Sequence, residues 1–169
     1  CVCKKKQFKK NGKNVILITK KALDSANVHF WLDYGTLLGV TRDKKLIKND
    51  LDIDIGIFLA DYSEKIEESM YNFGFKLIRE YIIDNKQYGL EQTYELDGVS
   101  VDLFYYSTDK DKMWSHVFVN FPNMTIIESL NNKGGLLPIE QYFPKVSFSS
   151  ICFLNENFSI PHPVNEYLS

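Results

Sequence analysis

Apolar residues recur along this chain with two different periods. The segment Asp50-Leu51-Asp52-Ile53-Asp54-Ile55-Gly56-Ile57 alternates strictly, with Leu51, Ile53, Ile55 and Ile57 on one side and three aspartates on the other. A period of two is that of a strand. Val15, Ile18, Ala22 and Leu23 instead fall at helical spacing, with Asn14 as the candidate N-cap. Residues 28–32, rich in β-formers, read as a short strand that Gly35 interrupts, and Thr36-Leu37-Leu38 as a tight turn into a helix. Asp61 and Glu64 have capping-box spacing before a helix that carries Tyr62, Ile66, Met70 and Phe73 on one face and ends at Gly74. A strand over 75–83 follows. Asp97-Gly98 then forms a hairpin turn between strands at 90–96 and 99–106. Beyond Asp109 the pattern weakens, and short strands are expected at 114–120, 147–153 and 158–160.

Strands interleaved with helices predict an α/β (α+β) fold with a mixed sheet. The 169 residues suit one domain, expected over 14–169, preceded by a basic arm or linker over 1–13 that holds six lysines. That arm reads either as a solvated helix start or as a site of peripheral attraction to an anionic membrane or acceptor polymer. Hydrophobic residues at 44% and charged residues at 25% exclude a disordered or low-complexity chain. No apolar run approaches the roughly 18 residues needed to span a bilayer. A net charge of −2 and a pI near 5.9 argue against a nucleic-acid partner. Cys1, Cys3 and Cys152 form no disulfide framework and read as free thiols. The chain lacks an initiating Met and is expected to be a piece of a longer polypeptide.

The aspartates carry the chemistry. Residues two apart on a strand lie about 6.6 Å apart on the same face, so Asp52 and Asp54 present two carboxylates to one region. Like charges that close repel, and aspartate is disfavoured in strands. Opposite a row of isoleucines, such a cluster calls for a cation, and hard oxygen ligands suit Mg²⁺ or Mn²⁺. Asp102 lies in the nearly apolar strand at 99–106, where an unpartnered carboxylate would be costly. It is the third ligand, the partner of a Lys or Arg, or a carboxylate hydrogen-bonded at an edge position. An EF-hand loop starting at Asp50 fails: Ile55 occupies its glycine position and Asp61 its bidentate glutamate position. Upstream, Gly35-Thr36 opening a helix offers backbone N–H groups to a phosphate, and Arg42 follows within two turns.

A Gly-Thr helix start, a two-aspartate strand and a later aspartate strand, in that order, are similar to the nucleotidyltransferase fold, a mixed β-sheet flanked by helices. The run from Trp31 through Arg42 (WLDYGTLLGVTR) and that from Ile47 through Gly56 (IKNDLDIDIG) resemble the LicD/fukutin family. Val101-Asp102-Leu103-Phe104-Tyr105-Tyr106 resembles that family's third-carboxylate strand, and the segment from Ile160 to Leu168 its C-terminal segment. The resemblance implies that Asp52, Asp54 and Asp102 hold the divalent metal, and that Gly35, Thr36 and Arg42 face the donor phosphates. It implies transfer of a phosphorylated alcohol (phosphocholine, ribitol phosphate or glycerol phosphate) from a CDP-linked donor to a glycan hydroxyl. Asp50 or a liganding aspartate would accept the hydroxyl proton. Many members have Pro-Trp where this chain has Lys48-Asn49, and an acidic residue where it has Leu51. Relatives continue past Ser169 to a Tyr-Gly sequence, so a C-terminal truncation is expected. Such enzymes work beside the membrane in the cytoplasm of bacteria and in the Golgi of animals.

Two alternatives stand beside this reading: a nucleotidyltransferase acting on a small molecule or protein, and an inactive glycan-binding or scaffold module. Other candidates have plainer explanations. His29, His116 and His162 read as structural or loop histidines, and Tyr105, Tyr106 and Trp114 as core aromatics before pocket residues. Asn123-Met124-Thr125 and Asn157-Phe158-Ser159 match the glycosylation sequon, which matters only in a secretory pathway.

Overall fold

The computed structural model describes residues 2–169. In chain order the elements are α1 (Val2–Ser25), β1 (Phe30–Leu32), α2 (Tyr34–Asp43), β2 (Asp52–Phe58), α3 (Glu64–Asn72), β3 (Lys76–Ile83), β4 (Gly89–Leu96), β5 (Val99–Thr108), β6 (Lys112–Val119), α4 (Ile126–Lys133), β7 (Leu137–Pro144), β8 (Ser147–Phe153), β9 (Glu156–His162) and α5 (Val164–Leu168). Seven strands form one mixed sheet in the order β1-β2-β5-β4-β3, with β6 on the end of β5 and β7 on β6. β8 and β9 form a separate hairpin. This is the mixed α/β fold that the sequence predicts. β2 and β5 run parallel, and Ile53 lies beside Val101, Ile55 beside Leu103 and Ile57 beside Tyr105.

The alternation along β2 explains the layering. Ile53, Ile55 and Ile57 are fully buried with Val101 and Leu103 in a core that also takes Val15, Ile16, Ala22 and Leu23 of α1 and Ile66 and Met70 of α3. Each such side chain stabilises the fold by about 1.5–3 kcal/mol relative to exposure. Ser69 ties α3 to α1 by donating to the Ala22 carbonyl at 2.6 Å. The opposite face of β2 and β5 carries Asp52, Asp54 and Asp102.

Several local expectations are corrected. The first helix does not start at Asn14; it runs from Val2, because Phe8 and Gly12 continue its buried face through the lysine-rich stretch. Asp61 does not cap α3. It lies in a 3₁₀ turn over Leu59–Asp61, and Ser63 is the N-cap. The capping box of this chain is instead at Thr125 and Glu128, opening α4. The Asp97-Gly98 turn forms as expected, with both residues at positive φ (50° and 75°). α4, β7 and α5 were not foreseen in the weakly patterned C-terminal third.

Trp31 locks the sheet edge to the C-terminal segment. Its ring lies across Gly56, where a Cβ would come within 2.2 Å of the indole, so only glycine fits. The indole N–H donates to the Tyr167 hydroxyl at 3.3 Å, which brings α5 against β1.

Candidate metal and phosphate site

β2 and β5 position the three aspartates. In the parallel register Asp54 lies directly beside Asp102, and Asp52 beside Ser100. One carboxylate oxygen from each of Asp52, Asp54 and Asp102 lies within 4.8 Å of the others. The convergence expected from the alternating strand is therefore present. All three donors are hard oxygens, the set that suits Mg²⁺ or Mn²⁺.

The electrostatics of the cluster favour a bound cation. Burial, then the charges of Asp52 and Asp102, pushes the Asp54 carboxyl up to about 9. Asp102 is raised to about 6 by burial and by Asp52, against the pull of a hydrogen bond from Thr93. Asp50, just before β2, is also raised, by burial and then by Asp52. A bound divalent cation would reverse each of these preferences by stabilising the charged forms.

The start of α2 closes the site on one side. Asp33 is its N-cap and its carboxylate accepts from the Tyr34 N–H at 2.9 Å. That carboxylate also accepts from the hydroxyls of Tyr106 and Tyr167, and burial raises it to about 6. Tyr34, at φ 40°, sits in the left-handed region, where a tyrosine is strained. Its ring packs edge-on against Phe104, and its hydroxyl donates to Gln141 of β7 at 3.0 Å. The β6–β7 hairpin thus anchors the helix start beside the carboxylates.

The residues assigned to phosphate occupy different places. Gly35 lies against Asp50: a Cβ on it would come within 2.7 Å of the Asp50 Oδ2. Gly35→Ala is therefore expected to displace the Asp50 side chain with little loss of stability. Turnover is expected to fall about tenfold, the scale of loss from moving a reacting carboxylate by a fraction of an ångström. An unchanged rate would remove Asp50 from the site. Thr36 is buried and its hydroxyl accepts from the Asp54 backbone N–H at 3.0 Å, so it fixes β2 to α2. Arg42 is not brought to the carboxylates. It lies in the last turn of α2, about 10 Å along the axis from Gly35, and its exposed guanidinium pairs with Asp43 at 2.8 Å.

Three residues absent from the sequence reading complete the polar face. Thr93 on β4, opposite Asp102, donates to its carboxylate at 2.5 Å, and Arg79 on β3 donates to Thr93 at 3.1 Å. Glu91, also on β4, is pushed up to about 7 by burial and the Asp102 charge, with Arg79 opposing. The cross-strand pairing of 90–96 with 99–106 through the Asp97-Gly98 turn was the signal that would have placed Thr93 opposite Asp102. The histidines remain outside this cluster. His116 is buried beside Tyr88 and Phe118, while His29 is exposed and packs on Phe148.

Comparison with known proteins bears directly on this arrangement. The family model described as LicD/FKTN/FKRP, nucleotidyltransferase domain, matches residues 27–162. The chain belongs to this family. The match takes in β1 through β9 and so includes all three aspartates. The chain is 31% identical over 109 residues to human ribitol-5-phosphate transferase FKTN, covering 64% of this chain and 23% of the relative. It is 28% identical over 128 residues to an uncharacterised protein of Rickettsia typhi, covering 73% of this chain and 36% of that protein. A 39-residue stretch is 46% identical to human ribitol 5-phosphate transferase FKRP, covering 23% of this chain and 8% of the relative. The chain thus spans about a quarter of the length of its fukutin relatives. Among the described residues no helix is long and apolar enough to cross a membrane.

Proposed function

We propose that this LicD/fukutin domain is a divalent-metal-dependent phosphotransferase. It moves a phosphorylated alcohol (phosphocholine, ribitol phosphate or glycerol phosphate) from a CDP-linked donor to a sugar hydroxyl of a glycan. The observation that carries this reading is the convergence of Asp52, Asp54 and Asp102 within 4.8 Å on adjacent parallel strands. Membership of a family that contains ribitol-phosphate transferases supports the substrate class.

In this reading Asp52, Asp54 and Asp102 hold Mg²⁺ or Mn²⁺. Bound there, the cation would neutralise diphosphate charge as it develops on the leaving group. Thr93 fixes the orientation of Asp102, and Thr36 fixes the backbone of Asp54. The first turn of α2, from Gly35, and the Arg79 guanidinium orient the donor phosphates. Asp50 accepts the proton of the acceptor hydroxyl. It lies outside the three-carboxylate cluster, and its raised affinity for a proton suits a base. A bond forms between the acceptor oxygen and the alcohol-bearing phosphorus, the phosphorus–oxygen bond to CMP breaks, and CMP departs.

The deciding experiment scores products. Incubation with CDP-choline, CDP-ribitol or CDP-glycerol, Mn²⁺ and a glycan acceptor is expected to release CMP. Release of pyrophosphate from free nucleoside triphosphates would overturn the proposal in favour of nucleotidyl transfer. Failure to bind Mn²⁺ and CDP together in calorimetry would leave an inactive module. Within the same assay, Arg79→Ala is expected to raise the KM for the donor about tenfold, with a smaller change in kcat, because an exposed guanidinium contributes about 1–2 kcal/mol to phosphate binding. An unchanged KM would exclude Arg79 from the donor site.

A further inference from the structure

The helical course of residues 2–25 brings the N-terminal lysines onto the same surface as a second basic segment. Lys9 and Lys13 of α1 face Lys45 and Lys48 of the α2–β2 loop across a groove of about 390 Å³. All four lysines are exposed. The floor between them is apolar, made by Phe8 and Leu46. Helix and loop are in close contact here, since a Cβ on Gly12 would lie 3.2 Å from Leu46.

This surface carries charge that the fold does not use. Neither segment 4–13 nor segment 44–48 contains an acidic residue, although the chain as a whole is at −2. Among the described residues, none of these lysines pairs with a carboxylate within 4.0 Å. Lys5, Lys9 and Lys13 recur every fourth residue, a spacing at which like charges weaken a helix. Uncompensated repulsion around an apolar floor fits an external partner that is anionic and amphiphilic.

We propose that this surface docks the protein on a bilayer containing anionic phospholipid. A lysine ring attracts the headgroup phosphates, and the floor of Phe8 and Leu46 meets the apolar edge of the interface. The lysine stems can lie along that floor with their ammonium groups in the headgroup layer. A soluble polyanion would be served by the lysines alone and gives the apolar floor no role. The fold links this surface to the carboxylates. Asn11 donates to the Asp97 carbonyl at 2.8 Å, and Gly98 packs against Gln7, so α1 is fastened to the β4–β5 turn. Asp52 pairs with Ser100, at that same end of the sheet. The α2–β2 loop that carries Lys45 and Lys48 also leads directly into Asp52 at the start of β2, so docking sets that strand start near the bilayer.

Vesicle sedimentation of the full chain tests this without any assay of activity. The chain is expected to sediment with phosphatidylcholine vesicles that contain phosphatidylserine, to stay in solution with phosphatidylcholine alone, and to dissociate as salt is raised. Lys9→Glu/Lys13→Glu/Lys45→Glu is expected to weaken partitioning by about a hundredfold, at about fivefold or more per lysine. The matched set Lys65→Glu/Lys110→Glu/Lys133→Glu, exposed elsewhere, is expected to change it less than about tenfold. Leu46→Gln is expected to weaken vesicle binding while leaving any binding to inorganic polyphosphate unaltered. Thermal melts check that each variant folds, and a Lys→Gln set at the same three positions replaces the Glu set if that one does not. Equal losses from the two lysine sets, or binding to polyphosphate but not to anionic vesicles, would overturn the proposal.

Discussion

Asp54→Asn lowers CMP release from the preferred CDP-alcohol by about a thousandfold or more, equivalent to about 4 kcal/mol on the barrier. The substitution keeps the shape of the side chain and removes its charge. The backbone should not move, because the Asp54 N–H is held by Thr36 and β2 is paired on both sides, with β1 and β5. What is lost is one of three anionic ligands around a single position. Asp52→Asn and Asp102→Asn should behave alike, since the three form one unit whose losses do not add. The check is initial rate at saturating Mn²⁺, with circular dichroism to show that the fold is retained. Rates within tenfold of the parent for all three would remove the aspartates from the chemistry.

The same substitution raises stability when no divalent ion is present. In the metal-free protein Asp54 is held near 9 against an ordinary 3.8, chiefly by burial and then by Asp52 and Asp102. A carboxyl whose folded value is raised contributes stability that is full below its unfolded value and lost as pH climbs toward and through the folded one. Asp102 adds the same trend from 3.8 to about 6, and Glu91 from 4.5 to about 7. Metal-free melts should therefore fall progressively as pH rises above about 4, steepest where all three groups act together. Asp54→Asn should remove the largest part of that fall and gain about 1–3 kcal/mol near neutral pH, a few degrees in Tm for each kcal/mol. Mn²⁺ should flatten the pH profile of the parent and do little for the variant. Melts in EDTA and in Mn²⁺ across that pH range measure both effects. A flat profile in EDTA would mean the carboxylates do not burden the fold.

What could be read from the residues divides by range. β2 was legible because its alternation is strict and one face is wholly aliphatic, and the Asp97-Gly98 hairpin because its turn chemistry is local. Those two elements together implied the aspartate cluster. Arg79 was not legible as a site residue, because nothing near it in the chain indicates which strand lies opposite, whereas Thr93 and Glu91 could have been placed on the carboxylate face by the register of the Asp97-Gly98 hairpin. Arg42 lies apart from the carboxylates. Its nearness in sequence to Gly35 suggested a shared role, but seven helical residues carry it to the other end of α2. The first helix was cut short because six lysines masked a buried face carried by Phe8 and Gly12 alone. In the C-terminal third the strands expected at 114–120, 147–153 and 158–160 correspond to β6, β8 and part of β9, whereas β7 was missed because it is largely exposed and lacks a clean period.

The bond from Tyr167 to Asp33 spans 134 residues of chain. During synthesis the cap of α2 is made early, and the phenol that completes its hydrogen bonding emerges only with the last segment of these residues. The strands could pair before that moment, but the buried Asp33 carboxylate would lack one of its donors until then. Full hydrogen bonding of the helix start beside the aspartates therefore waits on a residue made 134 positions later, and a nascent domain that has not yet extruded α5 would hold Asp33 short of one donor.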